Sequence, residues 1–170
     1  METDRLRLEP WHERHRPPFR AMCADSEVMR YVGAGDTWDE QEADERFDAA
    51  LKHWRDHGFG WRAALDSSSR AWLGLIALNY VAPGTSGLPA EAVEIGWWVV
   101  PPAWGRGYAS EGAAAVRDEA FQRVGLQRIV ARLHPANVAS ARVAEKIGMR
   151  FECEATGRFA ERLHIYSLER

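Results

Sequence analysis

The sequence predicts an α+β fold, a mixed and mostly antiparallel central sheet flanked by four helices. Three observations carry this. Strand-like runs meander through the middle of the chain. Helical and strand-like segments alternate after it. The order reads β-α-α-β-β-β-α-β-α-β-β, with no internal repeat and no linker. The 170 residues fit one domain spanning 1–170. With 46% hydrophobic and 28% charged residues there is apolar material for a core, and a disordered chain is excluded.

Each element has a local cause. Arg5 to Glu9 alternates polar and apolar, as a short strand does. Phe19, Met22 and Cys23 follow at helical spacing behind Pro17-Pro18, which suit a helix start. Thr37 with Glu40 has the spacing of a capping box. Behind it Ala43, Phe47, Ala50, Leu51 and Trp54 form an apolar stripe closed by Gly58. Phe59–Leu65, Trp72–Tyr80 and Val93–Val100 are strand-like, and Pro83–Pro89 has the composition of a loop. A long helix starts at Ala109 and stops at Gly125, with Ala113, Val116, Ala120, Phe121 and Val124 on one face. Ile129–Leu133 is a strand, Asn137–Ile147 a helix ended by Gly148, and Phe151–Glu154 and Leu163–Leu168 are strands.

A net charge of −3 argues against a nucleic-acid-coating or polybasic membrane protein. Cys23 and Cys153 lie far apart without a CxxC partner, so neither a zinc site nor a disulfide framework is expected. No metal is expected. The first residues carry no apolar signal segment and no run approaches a membrane span, so the expected location is the cytoplasm. Eight tryptophans fit a core together with a ligand groove.

The most informative stretch runs from Glu94 to Glu111. A hydrophobic strand stops at Pro101-Pro102, and the turn Trp104-Gly105-Arg106-Gly107-Tyr108-Ala109-Ser110 leads into a helix. Glycines let successive N–H groups converge, and the helix N-terminus adds partial positive charge, which makes a cradle of diphosphate size. An ordinary strand-turn-helix would read the same way. A dinucleotide fingerprint fails at Ser110, and no Gly-Lys-Ser/Thr exists for a P-loop.

The pattern resembles the GNAT acetyltransferase superfamily, and within it the RimJ/RimL type that acetylates protein N-termini. The small loop positions are Gly107 and Ala109. Trp104 stands where much of the superfamily has Gln or Arg, in the Trp-Gly-Lys/Arg-Gly-Tyr-Ala form of that branch. The segment from His134 to Met149 resembles the branch's Asn-x-x-Ser-x-x-x-x-Glu-Lys-x-Gly-Phe through Asn137, Ser140, Glu145, Lys146 and Gly148, with Met149 in place of the aromatic. The resemblance spans the whole chain. It implies a sheet splayed between strands four and five, and acetyl-coenzyme A as cofactor. The main chain of Trp98, Val99 and Val100 would pair with the pantetheine arm, and the N–H groups of 105–110 would hold the diphosphate. The family's frequent dimers keep a homodimer open.

An amine must be neutral to attack a thioester, and the departing sulfur needs a proton. The tyrosine that serves as acid in much of the superfamily is replaced here by Ala144. Ser140 is the branch's proposed acid, and Asn137 is both a helix cap and a cofactor contact. Both also read as ordinary first-turn residues. Glu94, a carboxylate in an apolar strand, is the candidate base, with an arginine-paired structural role as the alternative. Glu111 reads as a first-turn acid, His134 as structural or a water-mediated relay, and His53-x-x-x-His57 as surface. Acceptor contacts are expected from residues 17–38 and 155–166, containing Tyr31, Trp38, Arg158, Arg162 and His164. The implied acceptor is an amine-bearing peptide, with no nucleic acid or membrane partner. A small-molecule amine acetyltransferase and a catalytically silent acyl-coenzyme A-binding module are the alternatives.

Overall fold

The computed structural model describes residues 1–81, 85–89 and 91–170. Pro83 and Gly84 of the expected loop lie outside the described residues. In chain order the elements are β1 (Leu6–Pro10), α1 (Arg16–Cys23), α2 (Ser26–Met29), α3 (Glu40–His57), β2 (Arg62–Asp66), β3 (Trp72–Tyr80) and β4 (Val93–Val99). They continue with α4 (Tyr108–Glu119), β5 (Arg128–Leu133), α5 (Val138–Lys146), β6 (Arg150–Thr156) and β7 (Arg162–Glu169). The sheet order is β1-β2-β3-β4-β5-β7-β6. Every neighbouring pair is antiparallel except β4–β5.

The expected α+β order holds, with one helix more than the four expected. α2 is a single turn capped by Asp25, whose carboxylate accepts from the Glu27 N–H at 2.9 Å. Four residues are too few to show helical periodicity in a sequence. The cap of α3 also differs from expectation: Asp39, not Thr37, accepts from the N–H of Glu42 at 2.8 Å. A carboxylate at this end meets the positive pole of the helix, an advantage that a hydroxyl lacks.

The sheet is covered on both faces because its central strands are apolar on both. On β3, Leu75 and Ala77 face one side with Phe19 and Phe47 of α1 and α3. Ile76 and Leu78 face the other side with Val116 of α4 and Ala144 of α5. Each fully buried large side chain of this kind contributes about 1.5–3 kcal/mol. Six of the eight tryptophans (11, 38, 54, 61, 72 and 98) belong to the α1/α3 face. Among the described residues no helix is long and apolar enough to cross a membrane.

At the start of α1, Glu9 is clasped by Arg14 at 2.7 Å and Arg7 at 2.9 Å, and it lies 3.4 Å from His15 Nε2. Chiefly through the Arg14 bond, and against burial, its carboxyl falls from 4.5 to about 2. Burial in turn pushes the His15 imidazole below its usual value. Both native values lie below the unfolded ones, so both contributions are lost as pH falls. The unfolding midpoint is expected to drop first below about pH 6.5, as unfolded-state histidine takes its proton, and again from about 4.5 toward 2. His15→Gln, measured by thermal unfolding across pH, should shrink the first drop to the share of His53, which burial also holds low, and keep the second.

Candidate active site

β4 and β5 meet at a single parallel pair, Glu94 opposite Val130, and beyond it they diverge toward Val99 and Leu133. A cleft of about 520 Å³ opens there. Tyr31 and the α2 segment, the 103–110 turn and α5 line it. Which main-chain groups face the cleft follows from the β3 ladder. The Val100 N–H donates to the Leu73 carbonyl at 2.9 Å, and the Val81 N–H to the Ala92 carbonyl at 2.8 Å. Between them the register runs without a shift. Residues 94, 96, 98 and 100 therefore turn their main chain to β3, and residues 95, 97 and 99 turn theirs to the gap.

This corrects part of the expected cofactor set. The main chain of Trp98 is spent on β3. Val100 is spent as well, since its carbonyl accepts from Ala103 N–H at 2.9 Å. Val99 does face the gap, and its carbonyl already accepts the Trp104 indole N–H at 2.5 Å. Trp97, which the sequence reading passed over, presents its main chain to the gap beside Val99.

The turn before α4 has the shape of an anion cradle. Gly105 and Gly107 have φ of +72° and +84°, and Gly107 is the N-cap of α4 with no side chain to cap it. The first helical bond runs from Glu111 N–H to the Gly107 carbonyl at 3.0 Å. Among the described residues, no acceptor takes the N–H groups of residues 105–110. Arg5 braces the turn from outside. It donates to the Arg106 carbonyl at 2.8 Å and to Glu111 Oε2 at 2.7 Å. Glu111 Oε1 accepts from Thr3 Oγ1 at 2.6 Å and from the Arg5 N–H at 2.8 Å. Burial works against the Glu111 charge, yet these bonds hold its carboxyl below the usual range. Glu111 is thus more than a first-turn acid. Arg106 itself leans over the Tyr108 ring at 5.1 Å and is not among the cleft-lining residues.

Also lining the cleft, Asn137 caps α5, its Oδ1 accepting from Ser140 N–H at 3.1 Å. Ser140 Oγ accepts from the Trp97 indole at 3.2 Å. The apolar setting expected for Glu94 is not what the fold provides: its Oε2 lies 2.7 Å from Arg132 Nη2, and Arg132 Nη1 reaches Thr85 Oγ1 at 2.9 Å. Burial opposes the Arg132 charge, but Glu94 outweighs it and raises the guanidinium above its ordinary value. His134 Nδ1 accepts from Ala136 N–H at 3.1 Å, so a neutral ring carries its proton on Nε2. Tyr31 stacks on that ring at 5.3 Å.

Of the expected acceptor residues only Tyr31 lines the cleft. Trp38 packs against Trp98 at 5.5 Å, inside the α1/α3 face. Arg158 sits over Phe159 at 4.6 Å in the β6–β7 turn. His164 packs edge-on to Phe151 at 5.1 Å on the outer strands. His53 is structural: Nδ1 lies 2.9 Å from the Phe59 carbonyl, and Nε2 accepts from the Tyr80 N–H at 3.3 Å. Arg142 and Lys146 of α5 line the cleft too and add positive charge to it.

Unpartnered N–H groups at a positive helix end, and a strand edge with free main-chain groups, suit a ligand carrying phosphates and amides. Comparison with known proteins agrees. Residues 5–150 match the acetyltransferase (GNAT) domain family. An acetyltransferase crystal structure from Agrobacterium tumefaciens superposes with a TM-score of 0.84, at 29% identity over 100% of this chain and 94% of that one. The FsC-acetyl coenzyme A-N(2)-transacetylase of Aspergillus fumigatus is 28% identical over 88% of this chain and 64% of its own. Two further structures share the fold alone. One is the spermidine N-acetyltransferase of Vibrio cholerae with CoA and spermine (TM-score 0.73, 17% identity, 98% and 96% covered). The other is the ribosomal-protein-S5-alanine acetyltransferase of Vibrio fischeri (0.76, 17%, 99% and 95%). The chain belongs to the GNAT family of acetyltransferases, and it is an acyltransferase.

Proposed function

We propose that this enzyme acetylates a primary amine, the α-amine of a protein or peptide as in the RimJ/RimL branch, by direct attack within a ternary complex. Acetyl-coenzyme A supplies the acyl group, activated as a thioester. The N–H groups of 105–110 hold its diphosphate, and the main chain of Trp97 and Val99 lies along its amide arm. Ser140 hydrogen-bonds the sulfur. Glu94 Oε1, the carboxylate oxygen not engaged by Arg132, receives the amine.

The observation that carries the acceptor class is the Glu94–Arg132 pair at 2.7 Å. With Oε2 committed to the Arg132 guanidinium, this carboxylate has one oxygen left to meet an acceptor amine. Deprotonation at pH 7 costs an α-amine (pKa near 8) about 1 kcal/mol and a lysine (pKa about 10.4) about 4.6 kcal/mol. The smaller cost suits a site whose carboxylate already has one oxygen engaged. No covalent acyl carrier is needed: burial pushes the Cys23 thiol up to about 12, leaving no thiolate at neutral pH.

The test is thiol release from acetyl-coenzyme A with peptides, polyamines and aminoglycosides as acceptors. Turnover on peptide α-amines, blocked by N-terminal acetylation, is expected. Turnover on polyamines or aminoglycosides alone would move the enzyme to small amines, and coenzyme A binding without turnover would make it a silent module. Glu94→Gln should lower kcat/KM about tenfold to a hundredfold at neutral pH. An unchanged rate would give the proton to water.

A further inference from the structure

Trp97 reaches from β4 to α5 across the diverging strands, and its indole nitrogen lies 3.2 Å from Ser140 Oγ. The chemistry of the two groups fixes who donates. An indole N–H is a donor only, while a serine hydroxyl has one proton and two lone pairs. Ser140 must therefore accept, and its own proton is not consumed in this bond. Nor is it consumed elsewhere: among the described residues the hydroxyl donates to no acceptor. The common alternative for a helical serine, a back-bond to the carbonyl four residues earlier, is not formed. The Ser140 main chain is held in turn by Asn137 Oδ1 at 3.1 Å. Ser140 is thus fixed from two sides, lines the cleft, and keeps one proton to give.

We infer that Trp97 is a positioning residue that holds Ser140 as a hydrogen-bond donor toward the leaving sulfur. This rests on the role proposed above for Ser140. In the transfer the C–N bond forms as the C–S bond breaks and its electron pair goes to sulfur. The proton shed by nitrogen balances the one that sulfur gains, so Ser140 ends as it began. A donor on the serine oxygen also polarises its O–H bond, which strengthens the hydroxyl where negative charge builds up. Packing alone would not need the indole nitrogen, since a phenylalanine ring fills similar space against the α4/α5 core.

The test is a double-mutant cycle on the intact protein with the best acceptor found. Trp97→Phe is expected to lower kcat about fivefold, with KM for acetyl-coenzyme A and the unfolding midpoint near wild type. Ser140→Ala should lower kcat at least about tenfold, and the double variant should be no slower than Ser140→Ala. A readout without cofactor accompanies it. In the 1H–15N spectrum of the free protein the Trp97 indole resonance, identified by its loss in Trp97→Phe, should move in Ser140→Ala. If Trp97→Phe does not fold, that resonance is assigned through the backbone. Wild-type kcat for Trp97→Phe beside a slow Ser140→Ala, or an unmoved indole signal, overturns the inference alone. A Ser140→Ala enzyme at wild-type speed overturns the underlying reading of Ser140.

Discussion

Gly107→Val is expected to abolish coenzyme A binding while leaving the protein folded. Gly107 holds φ +84° where the turn becomes α4, a conformation that β-branched residues essentially never adopt. A Cβ there would also stand 3.3 Å from Arg5 Nη2, the guanidinium bracing the turn. The strain is relieved only by rotating the adjoining peptides, and those peptides carry the converging N–H groups. Losing two charge-assisted bonds to a diphosphate costs about 3–6 kcal/mol, or roughly two to four decades in Kd. The turn is exposed, so the unfolding midpoint should fall by only a few degrees. Titration calorimetry with coenzyme A measures the first effect and thermal unfolding the second. An unchanged Kd would remove this turn from cofactor binding.

Gly74→Ala should be the most damaging single methyl group in the molecule. Gly74 lies on β3 opposite Val99, with φ +140°. A Cβ at this position would sit 1.9 Å from the Trp98 carbonyl oxygen and 2.9 Å from Val99 Cα. Both neighbours are main chain, so no side chain can swing aside. Strain in the backbone and displacement of the strand each cost about 1–3 kcal/mol. Their sum is a large part of the 5–15 kcal/mol that typically holds a domain together. The displaced strand is also the one whose end borders the gap, so whatever remains folded should bind coenzyme A poorly. A denaturation midpoint near wild type would show that β4 shifts without cost.

The parts of this site that the sequence made legible are local in the chain. The glycine turn, the double proline before it and the Asn137 cap are each written within a few neighbouring residues. What escaped depends on pairing at a distance. Trp98 and Val100 were expected to face the gap because strand parity has no origin until the partner strand is known; the Val100–Leu73 bond supplies it. Glu94 and Arg132 are 38 residues apart, Trp97 and Ser140 are 43, and Arg5 and Glu111 are 106. Nothing in the spacing of either partner announces the other. Trp38 and His164 were assigned to the acceptor side from their position in the family's variable segments. The fold instead uses them as packing, because Trp98 and Phe151 offer aromatic surfaces closer by.

The Glu94–Val130 ladder pair joins two leaves of the sheet, one of four strands and one of three. Along most of that seam the sheet leaves its own ladder unfinished. A molecule lying there with amides of its own becomes a temporary rung between the leaves. Substrate would then be mortar as well as cargo: the loaded protein would be the more coherent solid, and each turnover that releases product would loosen it again.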